Sequence, residues 1–180
     1  MAMSHPWHDV DLPESVDGSF PVVIEIPQGS KNKYEIDLKT GLLRVDRVLF
    51  SAVHYPANYG FVPQTLGEDK DPMDVLVLGQ EPIVPLALVD ARAIGAFEMR
   101  DEHGVDTKII AVHVNDPAVR EYTDLDELPT HTMLEIRRFF EDYKVLEGKP
   151  VAVGETLTRE QALVLIREGV TRYRKSFPKK

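Results

Sequence analysis

Short apolar segments separated by turn signals run through residues 20–114, and this pattern constrains the fold more than any other feature. Gly29 and Gly41 mark two of the turns between them. The pattern predicts strands at residues 20–26, 33–37, 42–50, 75–78, 87–99 and 108–114. At least five short strands joined by turns favour a closed or nearly closed β-barrel over a parallel sheet.

Two helical patterns follow the strands. Thr132 with Glu135, and Thr158 with Gln161, form capping-box patterns. Apolar residues then recur at helical spacing, which predicts helices near residues 132–145 and 159–175. A polar N-terminal arm spans residues 1–19. The expected architecture is mainly β (α+β): one domain over residues 1–180, with a barrel core and two flanking C-terminal helices.

Composition and charge exclude several classes of protein. The chain has no cysteine, so any metal must be bound by oxygen or imidazole ligands. A formal net charge of −9 repels polyanions and argues against a nucleic-acid partner. The most apolar region is interrupted by Asp90 and Arg92, which argues against a membrane span. The first eleven residues contain no apolar stretch of the kind found in signal peptides, so a cytoplasmic location is expected.

Two acidic clusters stand directly before predicted strands. They consist of Asp69, Asp71 and Asp74 before residues 75–78, and of Asp101, Glu102 and Asp106 before residues 108–114. Several converging carboxylates suit Mg²⁺ or Mn²⁺. For either cluster alone, turn aspartates that cap local backbone groups are the alternative interpretation. An EF-hand starting at Asp69 fails, because its ligand, glycine and glutamate positions would fall on Met73, Asp74 and Gln80.

Basic residues alternate with acidic ones along two predicted strands. Lys33 and Glu35 share one strand face, and Asp106 and Lys108 share another. An acid beside a base, found twice, predicts a metal next to a phosphate. Arg47 follows a strand and could bind phosphate through its planar guanidinium. Each of these residues taken singly is more often a surface charge.

Aromatic residues offer further phosphate donors. Residues 55–61 are interpreted as an aromatic loop in which the hydroxyls of Tyr55 and Tyr59 could reach phosphate, although a packed turn is an equal alternative. Tyr143 and Lys144 stand at the end of the first predicted helix. The histidines show no ligand spacing.

Residues 69–75 resemble the signature of the family I soluble inorganic pyrophosphatases, and similar motifs follow in family order from about Pro21 to Lys149. Residues 5–9 and 137–144 resemble the plant-type members in particular. Carried over by motif, the resemblance implies metal ligands at Asp69, Asp74, Asp101 and Asp106, with Glu25, Glu35 and Glu102 in supporting or additional-metal roles. It implies phosphate binding by Lys33, Arg47, Tyr59, Lys108, Tyr143 and Lys144.

The resemblance also implies a five-stranded barrel like that of oligonucleotide-binding folds. The activity it implies is Mg²⁺-dependent hydrolysis of inorganic pyrophosphate to two phosphates, with Mn²⁺ as an alternative metal. A metal-activated water would attack in line without a covalent intermediate. Asp71 is the expected base, and Asp106 is the competing assignment. A non-catalytic, metal-binding barrel that docks a phosphorylated ligand is the alternative function.

Two departures from the family pattern concern charge and assembly. Lys70 replaces a small or acidic-amide residue beside the expected metals. Arg138 and Asp142 stand where enteric-type members place interface histidines, and they could instead form an exposed salt bridge. If Phe139 and Phe140 leave an aromatic face needing cover, the chain forms a homo-oligomer, a hexamer or a trimer.

Overall fold

The computed structural model describes residues 4–101 and 104–178, which contain eight β-strands and two α-helices. The elements are β1 Phe20–Ile26, β2 Asn32–Ile36, β3 Leu43–Val48, β4 Asn58–Val62, β5 Met73–Leu78, β6 Leu88–Asp101, β7 Gly104–His113, α1 Thr130–Asp142, β8 Ala152–Leu157 and α2 Arg159–Ser176. Short 3₁₀ turns occupy Leu125–Glu127 and Val145–Glu147. No helix in this described part of the chain is long and apolar enough to cross a membrane.

Five strands close into a ring in the order β1, β4, β5, β7, β6, because β6 pairs again with β1. All these pairings are antiparallel except the one between β5 and β7. β8 adds to the outside of β6, and β2 pairs with β3 in a separate hairpin. The predicted five-stranded barrel is therefore confirmed, with two C-terminal helices against it.

The helices cover two different parts of the barrel. α1 buries Ile136, Phe139 and Phe140 in one core cluster, and α2 contributes Ala162 and Ile166 to another. Phe139 and Phe140 are only 4% and 2% exposed. The aromatic face used to predict self-association is thus already covered within the chain, and that rationale is wrong. The homo-oligomer itself stays a prediction.

The aromatic loop predicted at residues 55–61 is wrong for its second half, which forms the barrel strand β4. Within β4, Gly60 lies opposite Ile24 of β1 and Val75 of β5. A Cβ atom at Gly60 would come within 1.9 Å of the Val23 carbonyl oxygen. Glycine is needed here for close packing of β4 on β1.

The capping box predicted at Thr132 is also wrong. α1 begins at Thr130 and is preceded by Pro129, which makes no side-chain cap. The backbone N–H of Thr132 already donates to the carbonyl of Pro129 at 2.9 Å, so Thr132 lies inside the first turn. The second capping box is confirmed, since the side chains of Thr158 and Gln161 each accept the other's backbone N–H.

Candidate active site

One cleft of about 570 Å³ opens between the barrel, the β2–β3 hairpin and the end of α1. The predicted site residues that line it are Glu25, Lys33, Glu35, Arg47, Tyr59, Asp69, Asp71, Asp74, Asp106, Lys108, Tyr143 and Lys144. Glu102 lies outside the described residues, and Asp101 is described only as the last backbone position of β6. Apart from these two, all the site residues predicted from the sequence line this cleft.

Lys108 lies at the base of the cleft between two predicted metal ligands. Its ammonium donates to the carboxylates of Asp74 on β5 and Asp106 on β7. Only 4% of the Lys108 side chain is exposed. Its ammonium also lies 5.7 Å from the ring centre of Tyr59, a favourable cation–π arrangement. The lysine is therefore the counter-ion of the two carboxylates in this structure.

Burial shifts the ionisation of this cluster. Burial, reinforced by the charge of Asp74 and only partly offset by Lys108, raises the pKa of Asp106 to about 6. Burial alone would lower the pKa of Lys108, but the charges of Asp74 and Asp106 outweigh it and raise that pKa. Burial and the charge of Asp74 together raise the pKa of the Tyr59 hydroxyl well above its ordinary value. Tyr59 thus stays a neutral hydrogen-bond donor.

The β2–β3 hairpin forms the cationic wall of the cleft. Lys33 and Arg47 lie opposite each other in the hairpin and both contact Asp46. Lys33 also pairs with Glu35, and the Arg47 Nε donates to Glu147 at 2.8 Å. Burial alone would raise the pKa of Asp46, but the positive charges of Lys33 and Arg47 outweigh it and lower that pKa. These ion pairs hold both cations in place along one wall.

The acidic loop, residues 66–72, carries two of the predicted aspartates to the cleft mouth. The backbone N–H of Asp71 donates to Asp69 Oδ1 at 3.0 Å, and that of Gly67 donates to the Asp71 carbonyl at 2.7 Å. Burial, followed by the charges of Asp69 and Asp74, raises the pKa of Asp71. A carboxylate with a raised pKa is better suited to accept a proton than one with the ordinary value.

Glu25 differs from the other acids because only 7% of it is exposed. Its Oε1 accepts the backbone N–H of Ile36 at 2.6 Å, which joins β1 to the hairpin. Burial and the charge of Asp74 raise the pKa of Glu25 to about 8. The hydrogen bond that Glu25 accepts from the Ile36 backbone suits a supporting role.

Aromatic side chains line the remaining wall. Tyr55 packs against Tyr59 with ring centres 5.5 Å apart and against Phe139 at 4.7 Å. The ammonium of Lys144 lies 5.4 Å from the ring centre of Tyr143. The end of α1 thereby places a phenol and an ammonium beside the barrel opening.

Sequence reasoning missed three polar residues that also line the cleft, namely Tyr34, Asp46 and Lys149, and it named Tyr55 only as a possible phosphate donor. The position of Asp46 directly before Arg47 is an indication that it could belong to the site. Strand alternation, however, predicts that two successive residues lie on opposite faces. A register irregularity between Lys33 and Tyr34 breaks that alternation. Lys149 follows a turn and gives no pattern from which to predict it.

The donor chemistry of the cleft fits magnesium. Within residues 4–101 and 104–178 no three carboxylate or imidazole side chains already form a metal site. The carboxylates of Asp74 and Asp106 nevertheless converge on one cation, the Lys108 ammonium. Asp69 and Asp71 line the same cleft. All four present hard oxygens, which Mg²⁺ and Mn²⁺ prefer.

The fold and the cleft together define a class: a β-barrel protein whose cleft is lined by aspartates beside lysine and arginine side chains. The sequence model of the inorganic pyrophosphatase family matches residues 22–174. Soluble inorganic pyrophosphatase 1 of Arabidopsis thaliana is 54% identical over 170 residues, covering 94% of this chain and 80% of the relative. Soluble inorganic pyrophosphatase 2 of Chlamydomonas reinhardtii is 49% identical over 174 residues, covering 97% and 91%.

Solved structures agree with these relatives. The inorganic pyrophosphatase of Thermus thermophilus superposes with a TM-score of 0.91 at 38% identity, covering 95% of this chain and 99% of that one. The enzyme of Helicobacter pylori superposes with a TM-score of 0.87 at 42% identity, covering 91% and 98%. The chain belongs to the inorganic pyrophosphatase family, and the resemblance noted in its sequence is confirmed.

Proposed function

We propose that this protein hydrolyses inorganic pyrophosphate to two phosphates in a magnesium-dependent reaction. The observation that carries the proposal is the convergence, in one cleft, of four aspartates with a wall of cations. Pyrophosphate is a compact polyanion, so a site for it needs positive charge on several sides. Family membership adds independent support for this substrate.

Asp69, Asp74 and Asp106 would hold magnesium in this cleft, and Mn²⁺ could replace it. When bound, magnesium would neutralise phosphate charge and lower the pKa of a bound water. Asp101 and Glu102 belong to the proposed ligand set on sequence grounds. Glu25 and Glu35 would support this ligand set. Glu25 would do so through the hydrogen bond that it accepts from the Ile36 backbone.

Lys33 and Arg47 would bind the phosphate oxygens, because their ion pairs hold them along one wall of the cleft. Tyr59, Tyr143 and Lys144 line the same cleft and would donate to the phosphates as well, and Lys108 would turn from its carboxylates towards phosphate. Fixing both phosphates in this way orients the phosphoanhydride bond for in-line attack by water. No covalent intermediate is required.

Asp71 would accept the proton from the attacking water. The pKa of both Asp71 and Asp106 is raised, but the carboxylate of Asp106 is paired with Lys108, so the place of Asp71 at the cleft mouth supports it as the base. A cytoplasmic location and a homo-oligomeric state, hexamer or trimer, are further parts of the proposal that rest on the sequence.

The proposal is tested by phosphate release from pyrophosphate with two arginine variants of the same strand. Arg47→Met should lower kcat/KM roughly a hundredfold, the usual cost of losing one fixed charge on the reacting group. Arg44→Met is the matched control, because the Arg44 side chain is 70% exposed and pairs with Asp37 outside the cleft. Wild-type protein that binds phosphate without hydrolysing pyrophosphate in Mg²⁺ would instead establish a docking barrel.

A further inference from the structure

Thr65, which the predicted site does not include, joins three parts of the chain at the base of the acidic loop. It is fully buried, with 0% exposure. Its hydroxyl donates to the Val62 carbonyl at 2.6 Å and accepts the backbone N–H of Met73 at 3.0 Å. Its own carbonyl accepts the indole N–H of Trp7 at 2.8 Å.

The bond between Thr65 and Met73 closes the acidic loop at its base. Met73 begins β5 and directly precedes Asp74, so a displacement of its backbone would move that carboxylate. Asp69 and Asp71 lie within the loop that these two residues close. The position of three predicted metal-site carboxylates therefore depends on the geometry at Thr65.

The N-terminal arm contacts the same base of the acidic loop. Trp7 is 3% exposed, and its ring packs edge-on against Tyr173 and Phe177 at the end of α2, 5.7 and 5.3 Å away. The Trp7 carbonyl accepts the backbone N–H of Gln64 at 2.9 Å. Gln64 has a φ of 51°, in the left-handed region that non-glycine residues adopt only when their surroundings hold them there.

α2 also makes hydrogen bonds to the start of the acidic loop. The backbone N–H of Leu66 donates to the Gly169 carbonyl at 3.0 Å, and the Arg172 Nε donates to the Leu66 carbonyl at 2.8 Å. A Cβ atom at Gly169 would lie 2.2 Å from the Met73 sulfur, which shows how closely the helix approaches β5. The loop base is thus fixed between the arm and the last helix.

We infer that Trp7 is a positioning residue for the reaction, acting through Thr65 on the acidic loop. It lines no part of the cleft, and its effect on the carboxylates passes through two hydrogen bonds, Trp7 to Thr65 and Thr65 to Met73. The inference rests on the proposed function, which assigns Asp69 and Asp74 to the metal and Asp71 to the role of base. A purely structural Trp7 would contribute to the free energy of unfolding and leave metal affinity unchanged.

The test separates the hydrogen bonds from packing. Trp7→Phe removes the indole N–H and keeps an aromatic ring, while Thr65→Val removes the hydroxyl at similar size. The affinity for Mn²⁺, measured by calorimetry without substrate, should fall roughly threefold for Trp7→Phe and about tenfold for Thr65→Val. The Mg²⁺ concentration for half-maximal pyrophosphate hydrolysis should rise in parallel.

Two controls complete the design. Thr65→Ser keeps the hydroxyl and should restore metal affinity close to that of the wild type. Val16→Ala removes buried volume from the arm without removing a hydrogen bond at the loop base, so it should lower the unfolding temperature without changing metal affinity. If Trp7→Phe and Thr65→Val behave like Val16→Ala, the inference is wrong. A wild type that binds Mn²⁺ but does not hydrolyse pyrophosphate refutes the proposed function alone, and one that binds no Mn²⁺ refutes the inference as well.

Discussion

Asp106 and Lys108 lie two residues apart on β7 and form an ion pair at the base of the cleft. Period-two spacing predicted that they share a strand face. The structure adds that the same ammonium also pairs with Asp74. β5 and β7 run in parallel with Val75 beside Ile109, which places the residues preceding each of these next to one another. The parallel register, which the sequence pattern does not reveal, thus builds the three-charge cluster.

Replacing Lys108 by methionine should make stability depend on metal. Without the ammonium, the carboxylates of Asp74 and Asp106 repel each other in a largely buried site. We expect the free energy of unfolding without metal to fall by about 3 kcal/mol, since breaking a buried pair leaves charge uncompensated. Mg²⁺ should restore most of that loss by taking the place of the ammonium. Urea unfolding with and without Mg²⁺ measures both effects.

Arg138→Met is the control for that experiment. Arg138 pairs with Asp142 at 2.7 Å on α1, but its side chain is 70% exposed. Solvent screens such a pair, so the change should be below about 0.5 kcal/mol and independent of Mg²⁺. A Lys108→Met protein that is as stable as the wild type without metal would contradict the role of Lys108 as counter-ion.

Asparagine substitutions at Asp71 and Asp74 distinguish a base from a metal ligand. Asparagine keeps the size but has neither negative charge nor useful basicity. Asp71→Asn should keep Mg²⁺ affinity and lower turnover by roughly a hundredfold to ten-thousandfold, the usual share of a general base. Asp74→Asn should weaken Mg²⁺ binding and be partly rescued by excess metal. Calorimetry and turnover at saturating Mg²⁺ compare the two, and near-normal turnover of Asp71→Asn would move the role to Asp106.

Most of the fold followed from periodicity, and its failures have physical causes. β1 was predicted with its observed ends, because seven residues between turn signals leave little choice. β4 was hidden because Gly60 serves close packing rather than a turn. β8 carries no apolar alternation, since it adds to the outside of β6 and is mostly exposed. Thr132 matched a capping pattern, but Pro129 starts the helix earlier.

The candidate site could be predicted largely by motif and partly by spacing. Lys33 with Glu35, and Asp106 with Lys108, follow from strand alternation alone. Asp46 lines the cleft beside Arg47 because of the register irregularity in the β2–β3 hairpin, which no local sequence pattern predicts. Pairings between distant residues, such as Trp7 with Thr65, depend on tertiary packing and leave no trace in local spacing.

Alanine at Gly60 should destabilise the barrel strongly. The added methyl group would lie 1.9 Å from the Val23 carbonyl oxygen and 2.8 Å from the Ile24 Cα, and backbone cannot move aside as a flexible side chain does. We expect a loss of about 3 kcal/mol in the free energy of unfolding, at the upper end for overpacking. Gly18→Ala is the control, because nothing lies within 4 Å of its Cβ position. Equal unfolding midpoints in urea would contradict the close approach of β4 to β1.

Glycine at Lys70 should stabilise the acidic loop. Lys70 has a φ of 76°, a left-handed conformation that costs a side chain roughly 1–2 kcal/mol and glycine almost nothing. Once the conformational entropy that glycine loses on folding is subtracted, a net gain of about 0.5 kcal/mol in the free energy of unfolding remains. Glu68→Gly, in the same loop without a left-handed φ, should lose stability instead. Thermal unfolding of the two variants without metal compares them, and a loss in both would contradict the assignment of strain to Lys70.

The central claim is that this cleft hydrolyses pyrophosphate with the help of magnesium. Its most direct test is phosphate release from pyrophosphate by the purified wild-type chain, measured in saturating Mg²⁺, in excess chelator, and after Mg²⁺ is added back. We predict turnover in Mg²⁺, none above background in chelator, and recovery on restoring the metal. Full activity in excess chelator, or no phosphate release in saturating Mg²⁺, would contradict the account.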